Sequence, residues 1–324
     1  MIKVKKKSIK RSLIIIIVIL ILILISLILL YVVYDKRLEE YNNELIAIQE
    51  KIHDNNEYTS CLITPYKSEE VDTLFSNLLN TLNTNELSIY FEDLNNDYTL
   101  NLNPTTIYYN ASIIKLFDAS FIIDNNVDLN DTITFTNEYR NMAKEGLLNY
   151  ELNAEVPIKD VMYYAISVSD NAAHRMLTDY IGIDNLRNYA KDTLGITLTI
   201  TDSDRFGNMS VESTNILLNH VYSLLQNNNE YTTLLKSAMN NDYYNALNFD
   251  DITFLHKYGY YNNYFHDIGI YESLNPYTIS IFTTYGNPDT GALDEVSNIS
   301  KEIYNIYQTN LDKKEEYCYN LAYN

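Results

Sequence analysis

Glycine, cysteine, tryptophan and basic residues are scarce in this chain, and these shortages exclude several classes of function. The eight glycines among 324 residues form neither a Gly-x-Ser-x-Gly nucleophile elbow nor a glycine-rich phosphate loop. The sequence has two cysteines and no Cys-x-x-Cys or His-Glu-x-x-His, so we expect no metal site and no cofactor. Tryptophan is absent and tyrosine is abundant, at 31 residues. We attribute this skew to codon bias and do not interpret the tyrosine clusters as sugar-binding surfaces.

The N-terminus has the pattern of a single-pass membrane anchor. A basic leader, residues 1–12, precedes an apolar run that we predict to be a transmembrane helix over 13–34. The apolar stretch of about 21 residues spans roughly 31 Å as a helix, close to the ~30 Å hydrocarbon core. The alternative is a cleaved signal peptide, although no small-x-small cleavage site follows the run. The leader's positive charge keeps the N-terminus cytoplasmic, so we expect the remainder to lie outside a bacterial cell.

The charge of the predicted exterior part argues against nucleic acid as a partner. Six of the 23 basic residues lie in the leader, which leaves 17 basic against 43 acidic residues and a formal charge of −26. A phosphate backbone requires a positive surface. The plainer interpretation of this charge is a soluble surface that repels itself.

Residues 35–67 are predicted to form an extracytoplasmic stalk and linker. Apolar residues recur at helical 3-4-3-4 spacing over 38–52, for only two heptads. This pattern favours a simple amphipathic stalk over a weak homodimer formed through it. A polar linker is expected over 54–67. Cys61 and Cys318 either pair in the oxidising exterior or remain two free thiols.

The rest of the chain, residues 68–324, predicts an α/β (α+β) fold. Strand patterns flank a mostly helical segment over about 110–241 on both sides, which indicates one antiparallel sheet built from both ends of the chain. Terminal helices flank this sheet, and a cleft between it and the all-helical subdomain is the expected place for a site. The expected elements are a helix over 68–82, strands over 87–91 and 98–102, strands over 252–258, 266–271 and 277–284, and a helix over about 293–307.

The strongest candidate for chemistry is Ser112, which is followed three residues later by Lys115. Three residues apart on a helix, the two side chains share one face and can touch. We expect this helix to begin near Asn110 as its N-cap. A lysine amine that burial keeps neutral can take the serine proton. So short a pattern carries little weight alone.

Two further motifs strengthen this candidate. Ser169-Asp170-Asn171 lies between two predicted helices, where Ser169 could relay a proton and Asn171 could orient substrate or Lys115; the plainer alternative is a helix N-cap. Lys257-Tyr258-Gly259 is expected at the end of a strand, where the lysine would supply a cation and the glycine would allow close approach.

Together, the three motifs resemble those of the class A β-lactamases and related penicillin-recognising serine enzymes, over roughly residues 68–309. The resemblance implies a β-lactamase/transpeptidase-like fold with a five-stranded antiparallel sheet. It implies that Ser112 is the acylated nucleophile, Lys115 its base and Ser169 the proton shuttle. Asn171 would bind the acyl side chain and Lys257 would attract the substrate carboxylate. The backbone N–H groups of Ser112 and Tyr260, the latter next to Gly259, would form an oxyanion hole.

Three departures from the family pattern bear on the substrate. Tyr258 and Tyr260 stand where the family has short hydroxyl side chains for a β-lactam carboxylate. The stretch 195–209, where class A enzymes carry a loop glutamate, contains only Asp202 and Asp204 as carboxylates. The proline and glycine punctuation of that loop is thin. We therefore expect an acyl-enzyme hydrolase that is weak or inactive on β-lactams, with a β-lactam or peptidoglycan-like small substrate. The alternative is a non-catalytic cell-wall-binding or scaffolding protein that retains the fold.

Overall fold

The computed structural model describes residues 30–38, 41–43, 56–96, 98–241 and 243–323, which form two compact units. One unit comprises the described residues up to 62 and from 317 onward, and the other comprises the described residues within 63–316. In the part of the chain that the structure describes, no helix is long and apolar enough to cross a membrane. Most of the predicted membrane helix, 13–34, lies outside the described residues.

The helices and strands follow the predicted order. The helices are α1 (Asn56–Leu62), α2 (Glu69–Leu79), α3 (Lys115–Asp124), α4 (Asn137–Arg140), α5 (Glu145–Leu148), α6 (Ile158–Ser167), α7 (Asn171–Ile181), α8 (Ile183–Leu194), α9 (Val211–Leu225), α10 (Glu230–Asn240) and α11 (Ala292–Tyr323). The strands are β1 (Leu87–Asp93), β2 (Tyr98–Leu102), β3 (Tyr108–Tyr109), β4 (Thr132–Thr134), β5 (Glu155–Pro157), β6 (Asn208–Met209), β7 (Leu255–Tyr261), β8 (Tyr264–Tyr271) and β9 (Tyr277–Thr283).

The main sheet confirms the prediction of five antiparallel strands drawn from both ends of the chain. Its order is β2-β1-β9-β8-β7, so β1 pairs with β9 across the helical insertion. The register places Phe91 opposite Ile279 and Gly259 opposite His266. Because β7 is an edge strand of this sheet, one of its edges is left to contact elements outside the sheet.

The apolar periodicity of the sequence explains two buried clusters in the larger unit. Val71 and Phe75 of α2, with Val296 and Ile303 of α11, pack against the sheet around Phe91. A second cluster fills the helical part and includes residues of α3, α6 and α7. Burying each such side chain contributes roughly 1.5–3 kcal/mol, and the second cluster fixes α3 in place.

The helix α1 lies within the predicted linker over 54–67. Two predicted element bounds were wrong. Helix α11 continues to Tyr323 instead of ending near residue 307. The strand predicted over 252–258 is displaced to Leu255–Tyr261, because a two-residue hairpin turn at Asn262 and Asn263 joins β7 to β8. Asn262 has φ +54°, a left-handed conformation that asparagine tolerates.

Cys61 and Cys318 form a disulfide, with their Cα atoms 5.5 Å apart. The structure thus selects the disulfide over the two free thiols that the sequence left open. Both cysteines are buried with Tyr58 in a small apolar cluster.

Candidate active site

The Ser112 segment is a tight turn immediately before α3. Residues Ala111–Ile114 form a 3₁₀ turn, and the α-helix begins at Lys115. Ala111 has φ +47°, a left-handed conformation that costs a residue with a Cβ about 1–2 kcal/mol. Asn110 occupies the predicted N-cap position of this turn, but its side chain makes no capping hydrogen bond. Its side chain donates to the carbonyl oxygen of Phe206 at 2.8 Å, and its backbone N–H donates to that of Gly207 at 3.0 Å.

The Lys115 amine is completely buried, and it lies between the two serine hydroxyls predicted to be in the site. Its Nζ is 2.9 Å from Ser112 Oγ and 3.2 Å from Ser169 Oγ. It also lies 2.8 Å from the backbone oxygen of Ser169 and 2.8 Å from Oδ1 of Asn171. The structure therefore brings four predicted residues, Ser112, Lys115, Ser169 and Asn171, into direct contact.

Ser169-Asp170-Asn171 combines a helix cap with a site contact. Asp170 is the N-cap of α7 and accepts from the backbone N–H groups of Ala172 and Ala173 at 2.7 and 3.1 Å. Ser169 has φ +53°, which turns the chain so that its carbonyl and hydroxyl both reach Lys115. Within this motif, Asp170 is thus the helix N-cap, whereas Ser169 and Asn171 contact Lys115.

Strand β7 packs directly against the Ser112 turn, and Gly259 permits this contact. A Cβ atom at position 259 would lie 2.8 Å from the backbone oxygen of Asn110 and 3.0 Å from Cγ1 of Ile113. The glycine was predicted to allow close approach of backbone and ligand, which stays a prediction; what the structure shows is its close approach to the neighbouring backbone. The predicted position of Lys257 to Gly259 at a strand end was wrong, because these residues lie in the middle of β7.

Lys257 is fully buried beside the ring of Tyr258. Its Nζ lies 4.1 Å from the centroid of this ring, a distance typical of a cation–π contact. Tyr258 lines the cavity at Ser112, whereas Lys257 and Gly259 do not.

A cavity of about 610 Å³ opens at Ser112 and is lined also by Ser169, Asn171 and Lys144. None of the described residues that line it is a carboxylate or a histidine. Half of its lining residues are aromatic, namely Tyr109, Phe206, Tyr243, Tyr244, Tyr258, Tyr260 and Tyr261. The motifs of the sequence include only Tyr258 and Tyr260 among these, because Tyr261 lies just beyond the third motif and the other rings come from distant segments.

A buried pair beneath Lys115 was also missed. Asp118, one turn further along α3, lies 2.5 Å from Nδ1 of His174, and Nε2 of His174 lies 3.2 Å from the backbone oxygen of Arg205. Burial raises the pKa of the Asp118 carboxyl, and the charge and hydrogen bond of His174 oppose this rise. The pair connects α3 to the loop that carries Phe206.

His266 supports the same site from the sheet. Its Nε2 donates to the backbone oxygen of Tyr109 at 3.0 Å, and its Nδ1 accepts from the backbone N–H of Thr283 at 3.1 Å. Complete burial lowers the pKa of His266 to about 4. The ring is therefore neutral near pH 7 and joins β8 and β9 to the segment that leads into the Ser112 turn.

The two carboxylates of the loop over 195–209 have structural contacts. Asp204 accepts from the backbone N–H groups of Phe206 and Gly207 at 3.1 and 3.3 Å. Asp202 is 92% exposed and lies 3.8 Å from Arg205. Neither lines the cavity. Across the described ranges, no group of three His, Cys, Asp or Glu side chains is placed to hold a metal ion.

Comparison with known proteins extends the resemblance to most of the chain. A comparison with curated proteins gives no match. The fold is similar to that of a solved structure of PBP-A, with a TM-score of 0.63 and 18% identity over 76% of this chain and 98% of that one. It is similar to the TLA-3 extended-spectrum β-lactamase, with a TM-score of 0.63 and 17% identity over 72% of this chain and 98% of that one. It is also similar to a class A β-lactamase from Bacteroides cellulosilyticus DSM 14838, with a TM-score of 0.62 and 18% identity over 74% of this chain and 99% of that one.

These structural similarities establish the fold, and the match to a family model establishes the family. The model of the Beta-lactamase enzyme family matches residues 69–307, which is well over half of the 324 residues. This chain therefore belongs to the Beta-lactamase enzyme family, as its three motifs predicted.

Proposed function

We propose that this protein is a membrane-anchored serine hydrolase that forms an acyl-enzyme on Ser112. The observation that carries the proposal is the position of the Lys115 amine, 2.9 Å from Ser112 Oγ and 3.2 Å from Ser169 Oγ. A base and its nucleophile must lie within about 2.6–3.2 Å for direct proton transfer. Ser112 retains 8% exposure, which leaves its hydroxyl open to the cavity.

The contacts of Lys115 are consistent with a neutral amine acting as the base. A neutral amine has two N–H donors and one lone pair. The backbone oxygen of Ser169 and Oδ1 of Asn171, each 2.8 Å away, are suited to accept the two donors. In this arrangement the lone pair accepts the proton of the Ser112 hydroxyl, whose Oγ lies 2.9 Å away. In this role Asn171 orients Lys115, the second of the two functions considered for it.

The proposed reaction uses the two serines in sequence. Ser112 Oγ transfers its proton to Lys115 and bonds to the substrate carbonyl carbon, whose oxygen becomes the oxyanion. The backbone N–H groups of Ser112 and Tyr260 would stabilise this charge. Lys115 returns this proton through the Ser169 hydroxyl to the leaving group, and the bond between the leaving group and the carbonyl carbon breaks. Water then hydrolyses the Ser112 ester and releases the acid.

The second half of this reaction is expected to be slow. No carboxylate or histidine occurs among the described residues that line the cavity, and Asp204 is engaged by two backbone N–H groups of its loop and by the Tyr109 hydroxyl. A water molecule that attacks the ester therefore has no additional general base beyond Lys115. We propose weak or absent β-lactam hydrolysis on this basis.

The absence of a carboxylate or histidine from the described residues that line the cavity also favours one alternative, a non-catalytic cell-wall-binding or scaffolding protein. A fold retained only for binding needs no base for deacylation. The two hypotheses differ in their dependence on the Ser112 hydroxyl. If a folded Ser112→Ala protein complements a deletion strain as well as wild type does, the non-catalytic alternative is favoured.

We also propose that the N-terminal segment over 13–34 anchors the protein and that the catalytic domain lies outside the cell. The buried Cys61–Cys318 disulfide supports an oxidising compartment. Cell fractionation and protease treatment of intact cells test this location. Full protection of the domain until the membrane is permeabilised would contradict it.

Intact-mass spectrometry of the detergent-solubilised full chain tests the proposed chemistry. The protein is incubated separately with a fluorophosphonate, benzylpenicillin and a chromogenic cephalosporin, beside the Ser112→Ala variant. We expect a fluorophosphonate adduct on Ser112 and little cephalosporin turnover. Rapid cephalosporin turnover would contradict the expected slow deacylation, and a wild-type chain that the fluorophosphonate leaves unmodified would contradict the hydrolase.

A further inference from the structure

Two series of aromatic rings line the cavity at Ser112, and the rings within each series contact one another. In one series, the Tyr109 ring centroid lies 6.1 Å from that of Phe206 and 5.1 Å from that of Tyr261. In the other, the Tyr244 centroid lies 4.9 Å from that of Tyr243 and 5.0 Å from that of Tyr258. Aromatic rings prefer to contact other rings and apolar groups, through edge and offset-stacked geometries.

The outer ring of each series presents surface to solvent. Tyr243 is 74% exposed and Tyr261 is 51% exposed, so neither ring is consumed by the core. The inner rings are held in place, as shown by the Tyr244 hydroxyl, which donates to both carboxylate oxygens of Asp289 at 3.1 Å. Burial raises the pKa of Tyr109 and of Tyr244 to about 12 each, so both phenols stay uncharged near neutral pH. The walls therefore present fixed, neutral, apolar surface.

The cavity offers little to neutralise an anionic substrate group. The ammonium of Lys257 is fully buried and lies over the Tyr258 ring. Of the described residues that line the cavity, Lys144 is the one cation, and it is an exposed residue. The residues after the leader carry a formal charge of −26, which disfavours the approach of anions.

We infer that the substrate is an uncharged ester, thioester or amide whose acyl group carries an aromatic ring, with no carboxylate beside the scissile bond. This inference rests on the proposed acyl-enzyme function and specifies its substrate class. The ring of the acyl group packs against Tyr243 and Tyr261, and the carbonyl carbon meets Ser112 Oγ. With a thioester, the new Ser112 O–C bond forms as the C–S bond breaks, and the thiol leaves with the proton that Ser169 supplies.

Four matched thioesters separate the two parts of this inference. The acyl group is phenylacetyl or acetyl, and the leaving group is mercaptoacetamide or mercaptoacetate, which differ in one negative charge. Thiol release by the full chain is followed with a thiol reagent, and Ser112→Ala corrects for background. Both cysteines of the sequence are in the disulfide, so the protein itself contributes no thiol signal. Fluorophosphonate labelling of Ser112 is measured on the same samples.

We expect kcat/KM to be at least tenfold higher for phenylacetyl than for acetyl, and at least tenfold higher for the amide than for the carboxylate leaving group. Tyr243→Ala and Tyr261→Ala are each expected to lower the phenylacetyl preference by about 3- to 10-fold, the range for one ring contact. Fluorophosphonate labelling of each variant is measured alongside, to show that its Ser112 is still reactive.

The possible results separate the substrate class from the function beneath it. If Ser112 is labelled, three results overturn the substrate class and leave the hydrolase intact. These are equal rates for the four thioesters, a preference for the carboxylate leaving group, and no thioester turnover. Unaltered phenylacetyl preference in both tyrosine variants also overturns it. Absence of fluorophosphonate labelling in wild type removes the proposed function, and the substrate class with it.

Discussion

Replacing Gly259 with alanine is expected to separate β7 from the Ser112 turn. The added Cβ would lie 2.8 Å from the backbone oxygen of Asn110 and 3.3 Å from the backbone nitrogen of Ile113. Ordinary contacts of this kind begin at 3.4 Å, so the strand and the turn must move apart by about 0.6 Å. Both of these partners are backbone atoms, which cannot swing aside as a flexible side chain can.

This displacement has two calculable consequences. Overpacking of this kind typically destabilises by about 1–3 kcal/mol. It also moves the Tyr260 N–H away from Ser112 and so enlarges the proposed oxyanion hole. A misplacement of 1 Å can reduce a rate by about 100-fold, so a shift of 0.6 Å is expected to slow acylation by roughly tenfold.

Gly269→Ala provides a matched control within the same sheet. A Cβ there would lie 2.7 Å from Cδ1 of Leu247 and 3.0 Å from the backbone oxygen of Leu255, without contacting the Ser112 turn. Urea denaturation measures stability, and time-resolved fluorophosphonate labelling measures acylation. We expect both variants to lose stability and only Gly259→Ala to lose acylation rate. Equal labelling rates in Gly259→Ala and wild type would refute the proposed dependence of the site on this contact.

Three further predictions follow from named contacts. Ser169→Ala retains the backbone carbonyl that binds Lys115 and removes the side-chain hydroxyl. The rate of acylation by an amide or lactam should fall about 100-fold, while the rate of fluorophosphonate labelling changes little. Equal losses of rate for the two reagents would argue against proton transfer by Ser169. The pKa of His266 is lowered in the folded chain to about 4, so the neutral ring stabilises the fold above pH 6.5 and this contribution is lost as the pH falls towards 4. The contribution of the neutral His266 ring to stability amounts to about 3 kcal/mol at most. His266→Gln should therefore flatten the decline in the free energy of unfolding by urea between pH 6.5 and 4. An unchanged pH slope would contradict the lowered pKa of His266. Reducing the Cys61–Cys318 bond should lower stability by about 2–5 kcal/mol without slowing Ser112 labelling, as thermal unfolding and labelling with and without reductant would show; a loss of labelling would contradict the independence of the site from this bond.

The sheet could be predicted from the sequence because its signals are local. Alternating apolar residues mark β1 and β9, and the polar turn before Tyr98 marks the first hairpin. The contact of Ser112 with Lys115 was predictable for the same reason, since their spacing alone places the two side chains together.

The limits of β7 could not be predicted from the same signals. The composition bias obscured its tyrosines, and Gly259 resembled the end of a strand. Its actual position in the middle of β7 depends on the backbone of Asn110, which is distant in sequence. The left-handed conformation of Ala111 likewise depends on tertiary contacts, since alanine has no intrinsic preference for it.

The aromatic cavity had no sequence signature. Its rings come from separate segments around residues 109, 206, 243 and 258–261, which only the fold brings together. The Asp118–His174 pair was missed because its two residues lie on different helices and belong to no motif.

Whether the Lys115 amine activates Ser112 is tested most directly by the fluorophosphonate labelling rate of Lys115→Met, which keeps the apolar length of the side chain and removes the amine. The site geometry predicts at least a 100-fold slower rate than wild type at pH 7, with the same free energy of unfolding to within about 2 kcal/mol. Labelling of a folded Lys115→Met protein at the wild-type rate would contradict the proposed mechanism.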